Sequence, residues 1–137
     1  METREVVCIA LINEKHEILI QKREPQSSKW WEKWSFFGGG IETWETPIEA
    51  LKREAQEELW LELMEEECTY VGTTYRYSGK VGKYYVRHIY MIKTDKKASD
   101  FHDMEAQGAY FKTLDEVLTL ELVTPVETEV YLIKANL

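Results

Sequence analysis

Residues 39–61 read GGIETWETPIEALKREAQEELWL, and this stretch organises the predicted fold. A glycine pair opens it, and a helical pattern fills most of the rest. Thr46 and Glu49 have the spacing of a capping box, in which each side chain accepts a hydrogen bond from the backbone N–H of the other residue. Pro47 takes the first helical position, where a missing N–H costs nothing. The pattern therefore predicts a helix that begins at Thr46.

The predicted helix has an apolar face and an acidic face. Its apolar residues recur three or four positions apart, which predicts that they pack on a sheet; they are Ile48, Leu51, Ala55 and Leu59. Glu54, Glu57 and Glu58 share a different face at i, i+3 and i+4. Three like charges on one face repel one another, and a bound Mg²⁺ would turn that repulsion into attraction. The acidic face is therefore either solvated or metal-bound.

The spacing from Gly39 through Glu45 to the run Arg53–Glu58 closely resembles the Nudix box, G-x5-E-x7-R-E-U-x-E-E-x-G-U, where U is aliphatic. Two positions depart from this pattern. Ala55 replaces a larger aliphatic residue, and Trp60 replaces the last glycine. The resemblance covers nearly the whole chain and identifies it as a member of the Nudix family.

Trp60 leaves two alternatives for the end of the helix. The family's glycine ends the helix in the left-handed region, where tryptophan costs roughly 1–2 kcal/mol. Residues 61–64, Leu-Glu-Leu-Met, are good helix formers, so the other alternative is that the helix continues through them. In either case Trp60 lies beyond the carboxylates, where its ring could bury against the sheet or a partner.

The resemblance implies a divalent-metal site for Mg²⁺ or Mn²⁺. Glu57 and Glu58 would ligate the metal, and Glu54 would either ligate it or orient and deprotonate the attacking water. Which glutamate acts as the base stays open, because that role varies within the family. The carbonyl of Gly38 would be a further ligand.

The resemblance also gives roles to the residues around these carboxylates. Arg53 would pair with Glu45 or Glu54 and fix the loop against the helix. The glycines at 38–40 are expected to form a turn whose backbone approaches metal or phosphate, with Gly39 and Gly40 contacting substrate. Phe37 stands where the family usually has a proline.

A further acidic ligand is expected from a loop before a late strand. Glu105 is the first candidate and Asp103 the second, because residues 105–111 (EAQGAYF) resemble the family's acidic loop followed by an aromatic strand. The alternative is that Glu105 is a solvated loop carboxylate.

Four aromatic residues are candidates for contact with a nucleobase. Trp30, Trp31 and Trp34 lie close together, and aromatic side chains are costly to expose. The alternative is that Trp34 packs in the core and the other two cover the loop or a dimer surface. Tyr77 lies sixteen residues beyond Leu61, where family members that act on dinucleoside polyphosphates tend to carry a tyrosine.

The rest of the chain predicts alternating strands and helices. Strands are expected at residues 4–12, 17–22, 34–37, 69–78, 83–94 and 108–111. Capping boxes at 113–116 and 124–127 predict a short helix and a C-terminal helix. This order predicts an α/β fold, a Nudix-type α/β/α sandwich with a mixed β-sheet, as a single Nudix hydrolase domain over residues 1–137.

The composition limits the classes of molecule that the protein is expected to bind. The net charge of −8 argues against a nucleic-acid polymer, and an anionic small substrate would need a cationic bridge, for which divalent metal is the natural choice. No apolar run has the length of a membrane span, and the first residues, METRE, lack signal-peptide character, so a cytoplasmic location is expected. The two cysteines, Cys8 and Cys68, are expected to be reduced and buried or nearly so. A homodimer is left open.

The expected activity is Mg²⁺-dependent hydrolysis of a nucleoside diphosphate linked to another moiety, by a nucleoside triphosphate pyrophosphohydrolase or a dinucleoside polyphosphate hydrolase. Family members that act on ADP-ribose tend to carry a proline about fifteen residues past the box, and none occurs between Leu61 and Pro125. The main rival is a non-catalytic Nudix-fold module that binds or senses a nucleotide. A second rival, the isopentenyl diphosphate isomerase branch, needs a catalytic cysteine that neither Cys8 nor Cys68 matches.

Overall fold

The computed structural model describes residues 2–23, 33–79, 82–101, 106–122 and 126–137. In these parts of the chain, seven strands form one sheet. The strands are β1 (Glu2–Ile12), β2 (Glu17–Arg23), β3 (Trp34–Ser35), β4 (Phe37–Gly40), β5 (Thr69–Ser78), β6 (Lys83–Lys93) and β7 (Ala106–Thr113). The helices are α1 (Pro47–Leu59), α2 (Leu114–Val117) and α3 (Glu127–Ala135), with 3₁₀ turns at Glu65–Glu67 and Ala98–Asp100. No helix in the described ranges is long and apolar enough to span a membrane.

Strand β1 lies at the centre of the sheet. It pairs in parallel with β6 along its whole length and antiparallel with β4, from Val6 opposite Gly40 to Ile9 opposite Phe37. A hairpin links it to β2, with Ile12 opposite Ile18. Strands β5 and β7 pair antiparallel with β6 and β2, respectively. The sheet is therefore mixed, as predicted.

The two faces of the sheet carry separate apolar cores. Along β1, Val7, Ile9 and Leu11 pack with α1, whereas Cys8 and Ala10 point to the opposite face. That opposite face packs with apolar residues of α2 and α3, among them Leu114, Val117, Val130 and Ile133. A strand buried on both faces reads as a continuous apolar run, which explains the run in β1. Helices on both faces of the sheet confirm the predicted α/β/α sandwich.

The glycine run differs from its prediction. Residues 38–40 do not form a turn: they belong to β4, and their backbone pairs with β1. The predicted strand at 34–37 is accordingly split, because β3 pairs with β2 and β4 pairs with β1. Gly38 has φ +146, and a Cβ there would lie 2.0 Å from the carbonyl oxygen of Val7. Glycine is needed here because two strands approach closely, not because the chain turns.

A buried ion pair ties α3 to the β5–β6 hairpin. The carboxylate of Glu129 is fully buried, and its Oε1 accepts hydrogen bonds from Arg87 Nη1 at 2.8 Å and from Thr74 Oγ1 at 3.0 Å. Cys8 lies in the same core, and burial raises the pKa of its thiol. Both cysteines are free, Cys8 buried and Cys68 half-buried, as expected.

Candidate metal and substrate site

Helix α1 begins as the sequence predicts. The Glu49 amide donates to Thr46 Oγ1 at 3.2 Å, and the Thr46 amide donates to Glu49 Oε1 at 2.8 Å, so both halves of the capping box are present. Pro47 occupies the first turn. The apolar face packs on the sheet through fully or almost fully buried residues, namely Ala50, Leu51, Ala55 and Leu59, with Ile48 partly buried at its margin. One face of α1 is thereby fixed on β1 and β4, and Glu54, Glu57 and Glu58 lie on a different face.

Arg53 joins the loop before α1 to the helix itself. Its Nε and Nη2 donate to the two oxygens of Glu45 at 2.7 and 2.8 Å, a bidentate pair. Nη2 also donates to the carbonyl of Gly40 at 2.9 Å, and Nη1 donates to Glu54 Oε1 at 2.8 Å. A longer contact of 3.4 Å reaches Glu57 Oε2. The planar guanidinium thus connects strand, loop and helix, a geometry that lysine lacks.

The same network sets the charge state of Glu45. Hydrogen bonds from Arg53, and then from the Glu42 amide at 2.9 Å, lower the pKa of Glu45 from its ordinary value of 4.5 to about 2. The pKa of Arg53 is raised, first by its hydrogen bonds to Glu45. The Glu45–Arg53 pair therefore stays charged across the pH range in which a hydrolase works.

Two of the helix carboxylates lie against the glycine strand. A Cβ on Gly39 would lie 2.4 to 2.7 Å from the oxygens of Glu54, so the missing side chain provides the space that this carboxylate occupies. Glu58 Oε2 lies 3.4 Å from the amide nitrogen of Gly38. Glu57 is more open, with 59% of its side chain exposed. The structure thus brings Glu54 and Glu58 to β4 and leaves Glu57 at the solvent edge beside Arg53.

The donor set has the chemistry of a hard divalent cation, because all three side chains are carboxylates. In this structure, no three His, Cys, Asp or Glu side chains of the described residues lie close enough together to hold a metal ion. Glu57 is the carboxylate that would have to turn, and its contact with Arg53 is the longest in the network. The side chain of Glu57 is 59% exposed and can change rotamer, so the three carboxylates suit Mg²⁺ or Mn²⁺ once Glu57 has turned toward the other two.

Trp60 ends the helix in place of the family's glycine. It adopts the left-handed conformation, with φ 53 and ψ 36, and residues 61–64 are not helical. The chain therefore accepts the strained cap instead of extending the helix. Trp60 is 63% exposed, so its burial against the sheet is not observed, and burial against a partner stays a prediction.

The other predicted residues either fall outside the described residues or lie on strands other than β4. Glu105, Asp103, Trp30 and Trp31 fall outside the described residues. Trp34 is half-buried, packs against the core on the α3 face and contacts Tyr110 edge-on at 5.6 Å between ring centroids. Tyr77 lies half-exposed on β5 beside Tyr84. Strands β6 and β1 separate β5 from β4, a distance of about 14 Å at the usual strand spacing.

Solved structures match this fold over nearly the whole chain. The MutT protein of Methanosarcina mazei Go1 is 18% identical with a TM-score of 0.81, and the match covers 98% of this chain and 95% of that one. The E. coli ORF135 protein is 27% identical with a TM-score of 0.72, covering 99% and 89%. The NUDIX domain of Shewanella oneidensis NrtR, solved in complex with ADP ribose, is 14% identical with a TM-score of 0.76, covering 99% and 89%.

A search of curated proteins finds no match in sequence. The NUDIX domain family model, by contrast, matches residues 1–131, which include the box and the strands and helices that surround it. The matched range also includes the glutamates, the glycine strand and the arginine described above, and the chain belongs to the Nudix family.

Proposed function

We propose that this chain is a Mg²⁺-dependent hydrolase that cleaves a nucleoside diphosphate linked to another moiety. The observation that carries the proposal is the Arg53 network. It fixes Glu45, the Gly40 carbonyl and Glu54 relative to one another, so that a carboxylate is held in place beside β4 before any ligand binds. Preorganised charge of this kind is what catalysis on a diphosphate requires.

Members of the Nudix family generally use divalent metal ions, and Glu54, Glu57 and Glu58, with the Gly38 carbonyl, would hold the metal here. When bound, the metal supplies polarisation of the diphosphate and activation of water. The net charge of −8 favours such a bridging cation, because an acidic protein repels a polyphosphate at long range. Glu105 is proposed as an auxiliary ligand from the loop before β7.

The three glutamates differ in how well they are placed to orient the attacking water and take its proton. Glu54 is only 12% exposed and is oriented by Arg53, so it is the best-placed residue to orient the attacking water. Glu57 and Glu58 are then left to hold metal charge. We keep the identity of the general base open, and the pH dependence of turnover in the Glu54→Gln and Glu58→Gln variants distinguishes them.

Two substrate classes fit. A nucleoside triphosphate is the simpler, with Gly39 and Gly40 against its phosphates and Trp30 or Trp31 beside its base. A dinucleoside polyphosphate is the second class, because Tyr77 lies sixteen residues beyond Leu61, where family members that act on such substrates tend to carry a tyrosine. NrtR was solved with ADP ribose, but at 14% identity and without the proline that marks ADP-ribose hydrolases, that substrate is a weaker proposal.

A screen that detects released phosphate tests the proposal. Nucleoside triphosphates, dinucleoside polyphosphates and sugar nucleotides are each incubated with the protein and Mg²⁺, with and without a coupling phosphatase. We expect one class to be cleaved and the rate to vanish with excess chelator. Tight binding without turnover on every class would instead support the rival reading, a nucleotide-sensing module.

Glu57→Gln gives the sharpest check on the site. The change removes a ligand charge, keeps the shape and relieves repulsion from Glu54 and Glu58, so we expect a loss of turnover of at least about a hundredfold in a folded protein. Glu62→Gln is the matched control, because Glu62 is an exposed glutamate outside the acidic face. Turnover and melting temperature are measured for both, and undiminished turnover in Glu57→Gln would move the metal site elsewhere.

A further inference from the structure

On its outer side, β5 pairs with none of the described strands. β5 lies at the end of the strand order and pairs on its inner side with β6, and no other described strand pairs with it. An edge strand presents a row of backbone N–H and C=O groups that can pair with another chain. Proteins usually protect such an edge with charged side chains, proline, a bulge, a very short strand, or a helix or loop that covers it.

Among the described residues, β5 has few of these protections. β5 is ten residues long, TYVGTTYRYS, and contains no proline and no lysine. Its single charged residue is Arg76. The bulge between Tyr70 and Gly72 sits at the start of the strand and leaves the register from Gly72 to Ser78 regular. The unprotected edge is therefore this seven-residue segment, and its middle residue is Tyr75.

Exposed tyrosines accompany this edge. Thr74 points to the α3 face, where it donates to Glu129, so its neighbours Thr73 and Tyr75 point to the opposite face, and Tyr77 follows them. Tyr75 is 73% exposed. The segment is neutral apart from Arg76, whereas the chain as a whole carries −8. A neutral, aromatic strip is where two copies of an acidic protein can approach one another with the least repulsion.

We propose that two copies of this chain pair through β5, antiparallel, around a two-fold axis at Tyr75. This axis uses the whole regular segment from Gly72 to Ser78. It places Tyr75 opposite Tyr75 of the second copy, Tyr77 opposite Thr73, and Arg76 opposite Thr74. An interface with two-fold symmetry joins the same surface of both copies, and edge pairing extends each sheet into the other.

Neighbouring positions for the axis are worse. Moving it to Arg76 places two arginines directly opposite each other, and like charges in that position are unfavourable. Moving it to Thr74 brings Val71, at the bulge, into the pairing. The pairing uses the edge and leaves the sheet face open, so the ring of Tyr77 stays accessible to a ligand. The dimer therefore stands independently of the proposed hydrolase activity.

Sedimentation equilibrium over a range of protein concentrations tests the dimer. We expect a reversible monomer–dimer equilibrium in which the dimer becomes more stable as salt is added, since screening weakens the repulsion between two chains of charge −8.

The variant Tyr75→Arg places two like charges on the axis and removes the ring contact, which should raise the dissociation constant of the dimer about tenfold or more. Tyr131→Arg is the control, because Tyr131 is 79% exposed and belongs to α3, so it takes no part in the proposed strand pairing. A chain that stays monomeric at every concentration overturns the proposal, as does a dimer that Tyr75→Arg leaves intact.

A cross-link checks the register without disturbing the fold. In a Cys68→Ser background, Tyr75→Cys should form a disulfide-linked dimer on mild oxidation, because residues directly opposite each other across antiparallel strands have Cα atoms about 4.5–5.5 Å apart. Tyr131→Cys should not cross-link at the same protein concentration. Equal cross-linking of the two variants would show random collision and would contradict the two-fold at Tyr75.

Discussion

Gly38 and Gly39 are neighbours in β4, yet substitution should affect them differently. In Gly38→Ala the new methyl meets the backbone carbonyl of Val7 at 2.0 Å in a left-handed conformation, so we expect a loss of about 3 kcal/mol or more of unfolding free energy. In Gly39→Ala the methyl meets the carboxylate of Glu54, the end of a side chain that can swing away.

Gly39→Ala should therefore change the unfolding free energy by only about 1 kcal/mol while turnover falls about tenfold or more. Urea denaturation and turnover on the best substrate measure the two quantities. Full turnover in Gly39→Ala would mean that the position of Glu54 beside β4 does not matter for activity.

Glu45 should make stability depend on pH in a defined window. Its pKa is about 2 in the folded protein and 4.5 ordinarily, chiefly because Arg53 hydrogen-bonds to it. The folded state therefore binds fewer protons, and the stabilisation is fully present above pH 4.5 and is lost as the pH falls toward 2.

We expect the difference in unfolding free energy between wild type and Glu45→Gln to be largest above pH 4.5 and to shrink toward pH 2. Glu62→Gln is the control for the loss of one surface charge, because Glu62 is an exposed glutamate outside the Arg53 network. Parallel pH curves for wild type and Glu45→Gln would argue that the Arg53 pair does not stabilise the fold.

At the scale of the helix, substitutions at Trp60 measure how much stability the left-handed C-cap of α1 costs. Trp60→Gly and Trp60→Ala both remove the indole, but only glycine removes the Cβ that disfavours φ 53. Trp60→Gly should therefore be more stable than Trp60→Ala by about 1 kcal/mol. Turnover should stay within a few fold in both, because Trp60 lies beyond the carboxylates. A large loss of turnover in folded Trp60→Gly would show that the indole helps to build the active site.

Elements with local signals were predictable. The capping boxes at Thr46 and Thr113 gave the starts of α1 and α2, and alternating β-branched and aromatic residues gave β5 with its bounds. The glycine strand was not predictable in the same way, because its pairing with β1 joins residues thirty or so positions apart and glycine by itself favours turns. Residues 61–64 have helical propensity, but the left-handed Trp60 ends the helix before them.

In the candidate site, too, the features set by local sequence were predictable, and those set by packing between distant segments were not. Glu54, Glu57 and Glu58 were predictable because a helix repeats every 3.6 residues and places them on one face. The Arg53 contact with Gly40 and the placement of Glu54 beside Gly39 need the helix to be packed on the sheet. The Arg87–Glu129 pair carries no sequence signal at all, since two distant charged residues give no sign of being buried together.

For the whole molecule, metal and net charge are linked. Divalent metal should raise the melting temperature by several degrees, because the folded state gathers carboxylates that are dispersed on unfolding, and a ligand at a hundred times its dissociation constant adds about 2.7 kcal/mol. Some of that rise would come from general screening in a chain of charge −8.

The double variant Glu57→Gln with Glu58→Gln should lose most of the shift in melting temperature. The double variant Glu62→Gln with Glu66→Gln removes the same charge from exposed positions outside α1, so it should keep the shift. Differential scanning calorimetry measures the melting temperature in Mg²⁺ and in NaCl at matched ionic strength, which separates metal binding from charge screening. If both double variants respond to Mg²⁺ as the wild type does, the stabilising cation binds somewhere other than the acidic face of α1.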